Sequence, residues 1–395
     1  MSSPTYVSLT PKTPLHLGEP KPKFSFLPTQ TVIPGSLIRG AVAEYFIKNG
    51  RAEDILSFVE GVRFGFFYPT RSASIIPYPL PASALECKSE GGFRSEKGHG
   101  MCDTLLATLS YLELKSSGSA FPVPLDFRCR FLNGLARECG GRMERVSGFY
   151  VVDRGYQKVR PRRLSQTKVA INRRRGTAEP EMLYSVTAID PKKIEFVGRI
   201  WSAGSKIDMI VEALNTLGIG ALVSRGYGRV SAKIVEPRDE LADVKERVEM
   251  FNTRLQDVQT EVASIAQGGN STTSDQVYFT IDLLSPAILK DCYNIPTLAL
   301  RLDWEAKNRV LTPVLFIAQS CFVGGWSTAW GLPKTTTVGA GMGGTYVFKV
   351  SRKDADEKFY ESLGALEREG VGERTMEGYG EVTVCHPLHL EVNQI

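Results

Sequence analysis

The chain has 395 residues, 42% apolar and 23% charged, which predicts two or three globular domains and excludes a disordered chain. It holds no run of about 18 uncharged apolar residues, so no membrane-spanning helix is expected. The net charge of +5 joins unlike parts: residues 1–237 carry 33 Lys and Arg against 21 Asp and Glu, and the remainder 15 against 22, so a polyanionic partner would prefer the first part.

The start, Met1-Ser2-Ser3-Pro4, lacks the basic and apolar stretches of a secretion signal, and a cytoplasmic protein is the expectation. Tyr6-Val7-Ser8-Leu9 alternates as a half-buried strand and runs to Thr13-Pro14. His16 follows where a general base could sit, although a structural loop histidine is the preferred reading. Four of the seven cysteines come next, Cys87, Cys102, Cys129 and Cys139, with His99 among them. Free thiols are expected rather than a disulfide framework. Paired C-x2-C spacing is absent, so cysteines scattered through an irregular insertion are preferred over a zinc site, and no metal ligand is assigned.

Residues 154–175, RGYQKVRPRRLSQTKVAINRRR, hold nine Lys or Arg and no acid. Strand-like pieces at 168–172 and 182–186 flank Arg173-Arg174-Arg175-Gly176-Thr177, which predicts a basic hairpin with its tip there. Arg160, Arg162, Arg163, Lys168, Asn172, Arg173, Arg174 and Arg175 are therefore candidates for contact with a nucleic-acid backbone and its sugars and bases. A charge run is commonly only a solvated face. The missing acids and the interleaved Val, Ala and Ile favour RNA or DNA.

An amphipathic stretch at 205–217 leads into GIGALVSRGYGRV at 218–230, and another at 357–369 leads into GVGERTMEGYGEV at 370–382. Both motifs read G-apolar-G-x5-G-Y-G-x-V and precede a strand-like run, so the chain holds a duplicated helix–loop–strand unit. The unit starts match as well, with Tyr278-Phe279-Thr280-Ile281 running to Ser285-Pro286. The offset is 272 residues at Pro14 and Pro286 but 152 at Gly218 and Gly370, so the first unit carries about 120 extra residues. Between the units, Leu241, Val244, Val248, Phe251, Leu255, Val258, Val262 and Ile265 form a heptad-like stripe. It predicts one helix over 238–266, lying along the chain's own domains, before a Gly/Ser/Thr linker at 268–274.

Glycines at these loops permit positive φ and close backbone approach, and their exposed amides could cradle an anion. Gly218, Gly220, Arg225, Gly226, Tyr227, Gly228 and Arg229 are candidate RNA contacts of the first loop. Glu377 and Glu381 replace Arg225 and Arg229 in the second, which suits a protein neighbour or the chain's own core. The motif is neither a dinucleotide fingerprint nor a Walker loop, and no H-x-E…C-x-x-C, HExxH or G-x-S-x-G pattern occurs. No catalytic residue and no cofactor is assigned.

With the segment Ile33-Pro34-Gly35-Ser36-Leu37-Ile38-Arg39-Gly40-Ala41, these loops resemble the RAMP superfamily of CRISPR–Cas proteins. Val323-Gly324-Gly325-Trp326 and Trp330-Gly331-Leu332-Pro333-Lys334 look most like its Csx-ten family, the Cas-five-like subunit of type III-D effector complexes. The resemblance implies an α+β fold of two ferredoxin-like (RRM-like) domains. The first would span 1–237, with an insertion at about 70–185 bearing the basic hairpin as a thumb. A connecting helix and linker would follow at 238–275, then a second domain at 276–395. It implies a non-catalytic cap that grips the 5′ repeat-derived tag of a CRISPR RNA, with Arg39 added to the RNA contacts. The large signalling subunit and backbone RAMP subunits would be its partners, target RNA would be met indirectly, and no membrane is involved. A precursor-processing endoribonuclease and a protein-binding scaffold are the competing readings.

Overall fold

The computed structural model describes the chain apart from residues 1–3, 20–24, 94–98, 123, 130–138, 154, 173, 239–240, 267–274, 305–306, 328–330 and 392–395. Arg173, Trp330 and the linker at 268–274 therefore lie outside the described residues.

In chain order the first unit runs β1 (Thr5–Pro11), α1 (Gly35–Lys48) and β2 (Arg63–Thr70). Short strands β3 (Ala84–Cys87) and β4 (Met101–Asp103), helix α2 (Leu105–Ser116) and strand β5 (Met143–Arg145) follow. Then come the long hairpin β6 (Arg163–Asn172) and β7 (Thr177–Ile189), and β8 (Glu195–Trp201), α3 (Gly204–Leu217) and β9 (Val230–Val235). The sheet order is β9-β1-β8-β2, antiparallel throughout, with Val7 opposite both Gly198 and Ile234. Tyr6–Leu9 is this central strand, as expected, but it is not half-buried: Ser8, on the opposite face from Val7 and Leu9, is fully buried as well. Val7 and Leu9 are fully buried, in a core shared with Ile38, Val42 and Phe46 of α1 and Ile207, Ile210 and Leu214 of α3.

Helix α4 (Val244–Ala263) leads to β10 (Gln276–Leu283), β11 (Leu315–Ile317), β12 (Thr345–Ser351), α5 (Glu357–Glu369) and β13 (Val382–Val384). The order β11-β12-β10-β13 repeats the first sheet's order from the other edge. Where the first unit has α1, the second has two small hairpins, Leu289–Lys290 with Pro296–Thr297 and Leu302–Trp304 with Arg309–Leu311.

The connecting helix is shorter than its stripe predicts. The Asp243 carboxylate caps it by accepting from the Lys245 amide at 3.3 Å, so Leu241 precedes the helix; Ile265 follows it and is exposed. The inner positions hold. Val244, Val248, Phe251, Leu255, Val258 and Val262 are buried in the second unit's core, together with Leu105, Leu106 and Leu109 of α2. The chain's own helix α2 thus covers the stripe, as the intramolecular reading expected.

A polar clasp also joins insertion to second unit. His389 is fully buried, with Nδ1 at 2.6 Å from Asp103 and Nε2 at 2.9 Å from Asp282. Burial alone would lower this imidazole's pKa; the two carboxylates outweigh it and push it up to about 10.

Candidate nucleic-acid interface

The basic segment folds as the sequence predicts, as an extended hairpin, but its strands are longer than the predicted pieces. Leu164 pairs with Ala188 and Val169 with Leu183; the register then shifts before Ile171 meets Ala178. At the tip, the Asn172 Oδ1 accepts from the Arg174 and Arg175 amides at 3.0 and 3.2 Å, and Gly176 takes a φ of 65°. Asn172 therefore shapes the turn that presents the arginines. Arg160, Arg162, Arg163, Arg174 and Arg175 are exposed. Arg162 has Asp190 at 3.7 Å yet leaves 78% of its side chain in solvent. Apolar Val169, Ile171 and Leu183 are exposed on the same hairpin.

The first glycine loop lies against this hairpin. Gly218, Gly220, Gly226 and Gly228 all have φ between 76° and 87°. The Ile219 amide donates to the Gly228 carbonyl at 2.8 Å, the Gly228 amide to Pro14 at 3.0 Å, and the Ala221 amide to His16 at 3.0 Å. Those amides close the loop on its own unit, so an anion would meet side chains there. Arg225 is exposed and donates to the Tyr184 hydroxyl at 2.7 Å. Tyr227 is buried; its hydroxyl lies 2.6 Å from the Gln166 side-chain oxygen and the Lys168 ammonium sits 4.6 Å from its ring centre. The tyrosine packs loop to hairpin and is not presented as a stacking face. Arg225, Arg229, Arg174 and Arg175 are exposed across this one assembly.

His16 is buried, and its Nδ1–H donates to the Thr187 carbonyl at 2.8 Å, which ties the loop after β1 to strand β7. Arg39 lies elsewhere. Its guanidinium is 3.2 Å from Glu377 of the second glycine loop.

That second loop sits in the seam between the units. Glu377 is also reached by Arg374 at 2.5 Å and Lys334 at 3.6 Å; burial would raise its pKa, but these cations hold it below the ordinary carboxylate range. Glu381 is buried, 3.3 Å from Arg199 and 3.3 Å from the Tyr68 hydroxyl. Tyr379 packs edge-on to Phe66 of β2. The expectation that this loop suits the chain's own core describes where it lies. The sequence names Glu381 but gives no sign of its partner Arg199, 182 residues away. Trp326 is exposed on a two-residue strand paired with Leu332–Pro333.

The cysteines depart from the expected scatter. Cys87, His99, Cys129 and Cys139 bring their ligand atoms within 4.8 Å of one another, while Cys102, in the middle of β4, is not part of the group. Folding brings together what spacing along the chain did not.

No curated protein matches the chain. Two solved structures similar to it are a chain of the type III-B Cmr-beta complex bound to cognate target RNA, and a chain of the Csm3–Csm4 subcomplex in the type III-A CRISPR-Cas interference complex. The first is 13% identical, covers 96% of each chain and superposes with a TM-score of 0.41. The second is 12% identical, covers 88% of this chain and 92% of the other, and has a TM-score of 0.36. The RAMP superfamily model matches residues 8–231, from strand β1 through the first glycine loop into β9. That match spans more than half of the sequence, and the chain belongs to the RAMP superfamily.

Proposed function

We propose that the protein is a non-catalytic RNA-binding subunit of a type III CRISPR effector complex, of the Csx-ten kind, built on two ferredoxin-like RAMP domains. It would cap the assembly and hold the 5′ tag of the CRISPR RNA beside other effector subunits. Membership of the RAMP superfamily supports this reading. So does the strand order β9-β1-β8-β2, with its counterpart in the second unit. The observation that carries it is the joining of the first glycine loop to the basic hairpin through Arg225–Tyr184 and Lys168–Tyr227. Residues 41 positions apart in the chain, Tyr184 and Arg225, thereby join two elements into one cationic surface suited to a phosphate backbone. The role of His16 as a buried strut to Thr187 supports a binding rather than a cleaving subunit.

The test is guide-RNA binding across a salt series. Each phosphate contact on a single strand contributes about 0.7 to the slope of log affinity against log salt. Arg174→Glu with Arg175→Glu should lower that slope by about 1.4. An unchanged slope would remove the hairpin from the interface, and specific cleavage of repeat RNA by the pure protein would replace the binding reading with the endoribonuclease.

A further inference from the structure

We propose that Cys87, His99, Cys129 and Cys139 form a structural zinc site that closes the small three-stranded part of the insertion. The four side chains come from three places. Cys87 is the last residue of β3, His99 precedes β4, and Cys129 and Cys139 lie between α2 and β5. Backbone pairing sets each in place. The Cys87 amide donates to Gly100 at 3.0 Å, the Lys88 amide to Arg142 at 3.1 Å, and the Cys129 amide to Gly141 at 3.0 Å.

The distances suit one small ion. A tetrahedron with zinc–sulfur bonds of about 2.3 Å and a zinc–nitrogen bond of about 2.05 Å has sulfur–sulfur edges of about 3.8 Å and sulfur–nitrogen edges of about 3.6 Å. Here all four ligand atoms lie within 4.8 Å of one another, and Cys129 Sγ is 3.4 Å from His99 Nδ1. Gly141 is pressed against the group: a Cβ there would stand 3.0 Å from Cys139 Sγ and 3.3 Å from Cys87 Sγ.

Three sulfurs and an imidazole make a closed set of four, which describes a structural zinc site and leaves no position for a reacting water. Iron–sulfur clusters take four cysteines as a rule. A disulfide would use two of the three thiols and give the histidine no part. There is also a structural need. The buried apolar cluster beside this sheet is small, with Leu80, Ala84, Met101, Val146 and Tyr150 of the insertion joined only by Leu388 of the second unit, and small cores are commonly completed by metal or disulfide cross-links.

The test uses the full chain, produced with zinc in the growth medium and purified without chelator. Elemental analysis should find about one zinc ion per chain. Cys129→Ser and His99→Ala should each lose most of it, and Cys102→Ser should keep it. Cobalt exchanged into the unaltered chain should give thiolate-to-cobalt charge-transfer bands in the near ultraviolet and intense tetrahedral d–d bands in the visible. That readout does not depend on a variant folding, nor on RNA binding. Absence of zinc from the unaltered chain together with absence of the cobalt bands would overturn the site. So would full zinc retention by Cys129→Ser, or a disulfide among these thiols found by peptide mapping under non-reducing conditions.

Discussion

Leu222 and Arg374 occupy the same place in two loops, with φ of 63° and 60°, and Gly226 and Gly378 follow at 86° in both. The Ile219 amide meets the Gly228 carbonyl at 2.8 Å, and the Val371 amide meets Gly380 at 2.8 Å. Pro14 and Pro286 accept from Gly228 and Gly380 in turn. A cation even covers each tyrosine, Lys168 over Tyr227 and Arg374 over Tyr379. The surroundings then diverge. Around the first loop the arginines face solvent beside the hairpin; around the second the glutamates face Arg39, Arg63 and Arg199 in the seam. The motif dictates a backbone, through hydrogen bonds it makes with its own unit. The residues bracketing Gly-Tyr-Gly decide whether that backbone is a surface or a joint.

The sharpest way to break this contrast is to remove the joint's buried carboxylate. Arg63 is almost fully buried, donates to the Arg368 carbonyl, and stacks 4.2 Å from the Trp201 ring centre. Burial lowers its pKa, and Glu381 is the largest influence opposing that. Glu381→Ala would leave Arg63 and Arg199 without their carboxylate and should cost about 3–5 kcal/mol in denaturant unfolding. Arg225→Ala, at the matched position of Glu377 in the exposed loop, should cost less than about 1 kcal/mol. Similar losses from both would mean the seam is hydrated. A charge reversal at Glu381 would put a third guanidinium into this pocket, so it reports on folding and cannot serve as a neutral control for RNA binding.

The second test keeps the chemistry the same and changes only the surroundings. Gly226 and Gly378 share a φ of 86°, so alanine brings the same left-handed penalty, about 1–2 kcal/mol. A Cβ on Gly226 meets nothing within 4 Å, whereas on Gly378 it lies 2.5 Å from the Phe64 carbonyl and 2.9 Å from the Phe66 ring. Gly378→Ala should therefore cost about 2 kcal/mol more than Gly226→Ala, the difference being overpacking alone. Equal costs would show that the second loop can lift off strand β2.

Much of this was legible locally. The glycine frame, the two proline anchors and the amphipathic helices at 205–217 and 357–369 all express short-range rules, and the structure places them within a residue or two. The hairpin tip was legible because Arg-rich sequence between two alternating runs admits few alternatives. What failed was long-range. A heptad stripe shows which face of a helix is apolar but not where capping by Asp243 begins it. Ligand spacing hides a site whose members arrive from three strand ends, and Cys102 looked equal to Cys87 until folding separated them. Nor does sequence reveal that Glu381 will find Arg199, or that Arg39 will be occupied by Glu377.

The smallest effects decide whether the exposed loop is an RNA surface. Arg225→Glu with Arg229→Glu removes two exposed cations beside the hairpin while the amides that close the loop remain bonded to Pro14, His16 and Gly228. Two lost phosphate contacts should reduce the salt slope for guide RNA by about 1.4. In the other loop Glu373 is exposed and paired with Lys290 at 2.7 Å, so Glu373→Gln should leave both affinity and slope unchanged. An equal change from both loops would show that they share one role. Tyr184→Phe makes a finer cut: it removes the 2.7 Å bond that holds Arg225 against the hairpin but keeps every charge. If the arginine acts through its charge, the slope stays and affinity falls only by the cost of ordering that side chain, about 0.5–1.5 kcal/mol or roughly two- to twelvefold. A slope that falls with Tyr184→Phe would mean that Arg225 reaches phosphate only while the hairpin holds it, which makes loop and hairpin one binding element rather than two neighbouring ones.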